Sequence, residues 1–95
     1  MNAQELIAQG KGTVVDVRSY LEFSGGNVAG SVNIPLDQIS NKLEELRSME
    51  GPLILVCASG NRSGMAEGFL RGNGVECVNG GSWLNVNYFM SMNEA

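Results

Sequence analysis

The sequence predicts a single α/β domain over residues 1–95, built on a mainly parallel sheet of about five strands with helices on both faces. Two observations predict it. Short β-rich runs alternate with helix-like stretches along the chain, the pattern of strands joined by helical crossovers. One run, Leu53-Ile54-Leu55-Val56, is continuously apolar, as a strand covered on both faces must be.

The elements can be taken in order. Residues 13–17 read as a buried strand bounded by Gly12 and Arg18. Residues 20–23 fit one helical turn, stopped by Gly25-Gly26. Residues 31–34 form a short strand whose ladder Pro35 ends, because proline has no N–H to donate. Ile39, Leu43 and Leu46 fall at helical spacing with Ser40 placed as an N-cap, so that Glu44, Glu45 and Arg47 face water. Residues 53–56 are the strongest strand and belong at the centre of the sheet. From Arg62 to Gly72 a helix carries an apolar stripe of Ala66, Phe69 and Leu70. Gly64 and Gly68 lie in it and each costs up to about 1 kcal/mol relative to alanine, which a close approach to the sheet would explain. Asn73-Gly74 stops the helix, residues 75–78 form a further strand, and Gly80-Gly81 marks a turn. In the tail, Trp83, Leu84, Val86, Tyr88, Phe89 and Met90 fit a helix packed on the core, while Asn85 and Asn87 also allow strand alternation.

Composition narrows the function. With 95 residues, 43% of them hydrophobic and 17% charged, the chain is an ordinary globular domain near the lower size limit for burying its own core. Ten acidic against six basic residues give a net charge of −4, which argues against nucleic-acid partners, since these need clustered Lys and Arg. Residues 1–10 have neither the basic start nor the apolar block of a signal peptide, and no apolar run is long enough to span a membrane. A cytoplasmic, monomeric protein without a membrane partner is the expectation. Cys57 and Cys77 are too few for a disulfide framework and, with no histidine in the chain, cannot assemble a usual zinc site; neither metal nor cofactor is expected.

The chemistry concentrates in Cys57-Ala58-Ser59-Gly60-Asn61-Arg62. A strand that ends in a tight loop opening a helix aims several backbone N–H groups, and the positive end of the helix dipole, at one point. A cysteine cupped there is held as thiolate, the nucleophilic form. At a free-cysteine pKa near 8.5 only about 3% is thiolate at pH 7; lowering it by roughly 1.5 units, about 2 kcal/mol, raises this to about half. A Cys-His hydrolase is excluded, because there is no histidine.

Asp16-Val17-Arg18, then Gly30-Ser31-Val32-Asn33-Ile34-Pro35-Leu36, the loop Cys57 to Arg62 followed by Ser63, and Gly80-Gly81 together resemble the single-domain rhodanese family. The resemblance covers most of the chain and thins after Gly81. It implies a sulfurtransferase in which Cys57 carries a persulfide between a sulfur donor, thiosulfate or a persulfide or polysulfide, and a thiol or cyanide acceptor. It implies that Asp16 and Arg18 lie near the site and support it, and that the tail is helical. Each loop residue then has an expected role: Ala58, Ser59, Gly60 and Asn61 supply N–H groups around the bound sulfur. Gly60 permits a backbone conformation open chiefly to glycine. Arg62 closes the loop and braces it through carbonyls or an acidic partner, and Ser63 bonds to the loop. Asn27 departs from the family, which commonly has histidine there, so any pH-dependent role of that imidazole is lost.

Three alternatives stand beside this reading. Cysteine-dependent phosphatases use a similar loop, but usually with five residues between Cys and Arg; here there are four. A persulfide carrier or regulatory module acting with a protein partner needs the same Cys57 without fast turnover. Cys77 as a resolving thiol competes with its simpler placement as a core residue alternating with Val75. As positions 58–61 are all neutral, thiosulfate is expected to be a weak donor, and a protein persulfide or small polysulfide a better one.

Overall fold

The computed structural model describes residues 2–93. In chain order the elements are α1 (Ala3–Ala8), β1 (Thr13–Asp16), α2 (Tyr20–Ser24), β2 (Val32–Asn33), a 3-10 helix (Leu36–Lys42), α3 (Leu43–Ser48), β3 (Leu53–Cys57), α4 (Asn61–Gly72), β4 (Cys77–Ser82) and α5 (Trp83–Asn93). The strands form one parallel sheet in the order β2-β1-β3-β4. These four strands are the four β-rich runs of the sequence. β3 is central and buried throughout.

Period-two alternation along the strands divides the core. Val15, Leu53, Leu55, Cys57 and Cys77 face one side, packed with Ile39, Leu46, Ala66 and Leu70 from the 3-10 helix, α3 and α4. Val14, Ile54, Val56 and Val78 face the other, packed with Leu6, Ile7 and Val86 from α1 and α5, and with Trp83, Phe89 and Met90 at its margin. Helices cover both faces, as the alternation of runs predicts. Cys57 thereby falls on the α4 side of the sheet.

Strand order fixes the position of the site. After β1 the chain adds β2 on one side and then returns to add β3 on the other, so the order reverses between β1 and β3. Open parallel sheets leave a crevice at such a reversal, beyond the carboxyl ends of the strands. The ends meeting here are Asp16 of β1, paired with Val56, and Cys57 of β3. Val17 N–H continues the ladder to Val56 O at 2.9 Å.

Several local expectations are corrected. Ser40 caps nothing: a bond from Gln38 N–H to Pro35 O, 2.8 Å, starts a 3-10 turn directly after the proline, and α3 begins only at Leu43 with no side-chain cap. Gly80-Gly81 is not a turn but lies inside β4, at a bulge where Asn79 pairs with Leu55 and Gly81 with Val56. A Cβ on Gly80 would sit 3.0 Å from methyls of Ile54 and Val86, so a side chain enters only if these neighbours give way. Val75 precedes β4 rather than starting it. Phe69, Leu84 and Tyr88 point outward, leaving Ala66 and Leu70 as the buried stripe of α4 and Val86 as the buried centre of α5. A close approach accounts for Gly64 alone, whose missing Cβ would lie 3.3 Å from Asn79 Nδ2; nothing approaches Gly68.

Candidate active site

The loop between β3 and α4 is shaped around the sulfur of Cys57. Gly60 precedes α4 at φ +100°, a conformation strained for any other residue, and its backbone rests against Gly81, where an added Cβ would meet Cα at 3.4 Å. Having no side chain, Gly60 cannot accept the first-turn N–H groups of α4 as a capping residue normally does. The cysteine sulfur takes that place. Gly60 N–H donates to Cys57 Sγ at 3.0 Å and Ser63 N–H at 3.5 Å, with Ser63 Oγ at 3.4 Å.

Burial pushes the Cys57 thiol up and is the largest single influence. The Ser63 hydroxyl and the N–H groups of Ser63, Gly60 and Ser59 together outweigh it, and the pKa settles at about 7. About half the molecules are then thiolate at pH 7. Among the described residues the well-formed hydrogen bonds on Sγ come from Gly60 and Ser63, and the Ser59 N–H adds the weakest of the lowering influences; Ala58 and Asn61, expected to donate as well, lie exposed along the loop. Cys57 itself is 0% exposed. The sulfur points into the turn, beneath the amides.

Asn79, which the sequence reading passed over, buttresses the loop from β4. Its Oδ1 accepts from Ser63 Oγ at 2.7 Å and Gly81 N–H at 2.9 Å, while its Nδ2 donates to Gly60 O at 3.1 Å. Ser63 is thus the link in a chain Cys57–Ser63–Asn79. Its position just before the bulge glycines was the available signal, and it becomes informative only once β4 is known to lie beside the loop.

Arg62 closes the loop through an acidic partner. Its Nη1 and Nη2 lie 2.7 and 2.9 Å from Oε1 and Oε2 of Glu22 in α2. Glu22 also caps its own helix, accepting from Ser19 N–H at 3.2 Å. These bonds, the one from Arg62 foremost, hold the Glu22 carboxyl down to about 2. The Arg62 pKa is raised, first by Glu22 and, more weakly, by the charges of Cys57 and Asp16.

Asp16 and Arg18 form a buried ion pair at 2.8 Å beside the reversal of strand order. Arg18 also donates to Gly26 O at 2.7 Å, and its guanidinium lies 4.7 Å from the Trp83 ring centroid. The pair ties the end of β1 to the α2 loop and to the start of α5. Asn27 donates its side chain to Phe23 O at 2.8 Å, holding the same turn.

Cys77 is remote from this chemistry. It pairs with Leu53, whereas Cys57 pairs with Ser82. Four residues of strand separate them by about 13 Å, and a disulfide needs Cα atoms within about 7 Å. Burial pushes its thiol up.

Comparison with known proteins agrees with this geometry. The family model described as Rhodanese-like domain matches residues 2–83, and the chain belongs to that family. A relative, the uncharacterized protein YqhL of Bacillus subtilis, is 42% identical over 64 residues, 67% of this chain and 50% of YqhL. The uncharacterized protein slr1261 of Synechocystis is 39% identical over 76 residues, 79% of this chain and 41% of the relative. The chain therefore spans about half the length of the curated relatives it matches, or less. Among solved structures, a rhodanese-related protein of Thermoplasma volcanium is similar with a TM-score of 0.76 and 32% identity, over 93% of this chain and 88% of the other. The human single-domain sulfurtransferase TSTD1 is similar with a TM-score of 0.68 and 26% identity, over 86% of each chain. No helix among the described residues is long and apolar enough to cross a membrane.

Proposed function

We propose that this domain is a sulfurtransferase that passes sulfane sulfur through a persulfide on Cys57. The observation that carries the reading is the convergence of Gly60 N–H, Ser63 N–H and Ser63 Oγ on a cysteine sulfur whose pKa is lowered to about 7. In the first half-reaction the thiolate attacks the outer sulfur of the donor. With thiosulfate, the Cys57 S–S bond forms, the donor S–S bond breaks, and sulfite leaves with the bonding pair. In the second, a thiol or cyanide attacks the outer sulfur of the persulfide and returns the Cys57 thiolate. No proton donor is needed for either leaving group, in keeping with a site that lacks histidine. The loop residues Ala58, Ser59, Gly60, Asn61, Arg62 and Ser63 form the cradle, and Asp16 with Arg18 supports it. A compartment that keeps thiols reduced, such as the cytoplasm, suits a domain whose Cys57 and Cys77 are both free.

The complete burial of Cys57 favours a second reading, a persulfide carrier whose protein partner parts the loop. Thiocyanate formation from thiosulfate or polysulfide with free cyanide separates the two. Repeated turnover, abolished in Cys57→Ser, supports the enzyme; a single sulfur loaded and discharged only slowly supports the carrier. If neither process occurs in the wild type, the persulfide reading fails.

A further inference from the structure

Two cations flank the loop end of the sheet, and each already has its own carboxylate. Arg18 is buried, with Nε 3.0 Å from both carboxylate oxygens of Asp16 and Nη2 2.8 Å from Oδ2. Arg62 is more open, 37% exposed in its side chain, but Glu22, 39% exposed, takes both ends of its guanidinium. Bidentate pairing of this kind fixes orientation as well as charge. Glu22 is itself clamped, because Ser19 N–H and Ser19 Oγ hold Oε1 at 3.2 and 3.1 Å. Positions 58–61 add no charge, so the loop itself brings no cation beyond the paired Arg62.

We propose that Glu22 determines which sulfur donors the site accepts: by occupying Arg62 it leaves no free cation for a dianion, so donors of lower charge are preferred over thiosulfate. Glu22 acts through Arg62 and does not itself touch the reacting sulfur. The inference rests on the persulfide reading above. It agrees with the Glu22 carboxyl being held well below the usual carboxylate range by the Arg62 hydrogen bonds, so that it carries its charge at neutral pH. It agrees also with the net charge of −4, which repels a dianion further.

Two donors that deliver the same sulfur isolate the charge. Thiosulfate carries two negative charges and releases sulfite; methanethiosulfonate carries one and releases methanesulfinate. Glu22→Gln keeps an acceptor for Ser19 and releases the Arg62 charge. The kcat/KM ratio of thiosulfate to methanethiosulfonate should rise roughly three- to tenfold in this variant at low salt, and the gain should shrink as salt screens the freed cation. Glu22→Asp, which keeps the charge, should stay near the wild-type ratio. A merely structural effect of Glu22→Gln would lower both donors together and leave their ratio unmoved, which would overturn the proposal. The wild type gives a check that needs no variant: its kcat/KM for thiosulfate should stay flat or rise with salt, and a steep fall contradicts the proposal. A wild type that takes sulfur from neither donor overturns the sulfurtransferase reading and this inference with it, whereas an active wild type with an unmoved ratio overturns this inference alone.

Discussion

Ser63→Ala removes the side-chain hydrogen bond that does most to lower the Cys57 thiol. In the native loop the hydroxyl lies 3.4 Å from Sγ and 2.7 Å from Asn79 Oδ1. Alanine leaves that oxygen with the Gly81 N–H at 2.9 Å, so no buried acceptor is orphaned and the fold should tolerate the change. A hydrogen bond to a charged group is worth about 1.5–3 kcal/mol, and one pKa unit about 1.4 kcal/mol; at the lower end of that range, suited to a 3.4 Å contact, the thiol should rise by about one unit, to roughly 8. Thiolate is the deprotonated form, so its population grows as pH rises through the pKa. At pH 7 it should fall from about half to about a tenth. The assay is the rate of iodoacetamide alkylation of Cys57 against pH, in a Cys77→Ala background. The midpoint is compared, since it does not depend on how often the loop parts to admit the reagent. The wild type should show a midpoint at about 7 and the Ser63→Ala variant a higher one. A variant midpoint that stays near 7, with the fold intact, refutes the assignment of Ser63 as the main thiolate donor.

Other substitutions separate support from chemistry. Asp16→Asn leaves the Arg18 guanidinium buried without a counter-charge; it should cost about 3–5 kcal/mol, a fall in Tm of about 12 °C or more, and a wild-type Tm would contradict the structural weight given to the pair. Asn79→Ala removes the acceptor for Ser63 Oγ and the donor to Gly60 O and should destabilise by about 1–3 kcal/mol in denaturant unfolding; an unchanged midpoint would show that the loop stands without it. Cys77→Ala should leave the Cys57 alkylation midpoint and the rate of sulfur transfer unchanged. A slower transfer at unaltered Tm would give Cys77 a part that its position beside Leu53 does not predict.

Sequence alone located the central features and missed those that depend on neighbours in space. The run from Leu53 to Val56 could only be a buried strand, and Gly60 before Arg62 marked a strand-loop-helix junction, so Cys57 was identifiable as the focus of the loop amides. Which amides donate was not legible, because that depends on the φ of Gly60 and on the turn of α4 that places Ser63. α1 was legible but passed over: Asn2 and Glu5 form a capping box ahead of Leu6 and Ile7. Ser19 and Glu22 form another, although nothing local shows that the same carboxylate also reaches Arg62, forty positions later. Gly80-Gly81 read as a turn because glycine pairs usually mark one; that the pair sits in a bulged strand, with Ile54 and Val86 close against Gly80, depends on neighbours the local sequence does not show. Helical spacing alone puts Phe69, Leu84 and Tyr88 on the core side, yet their helices turn those positions to solvent. The depth of Cys57 has no local signal, since Ala58 and Ser59 are exposed and the residue before them is wholly covered.

Intact-protein mass spectrometry after brief exposure to methanethiosulfonate or an inorganic polysulfide tests the central claim most directly. The account predicts a gain of one sulfur atom by the wild type, its removal by cyanide, and no gain by Cys57→Ser. A wild type that gains nothing, or a Cys57→Ser variant that gains the same removable sulfur, contradicts it.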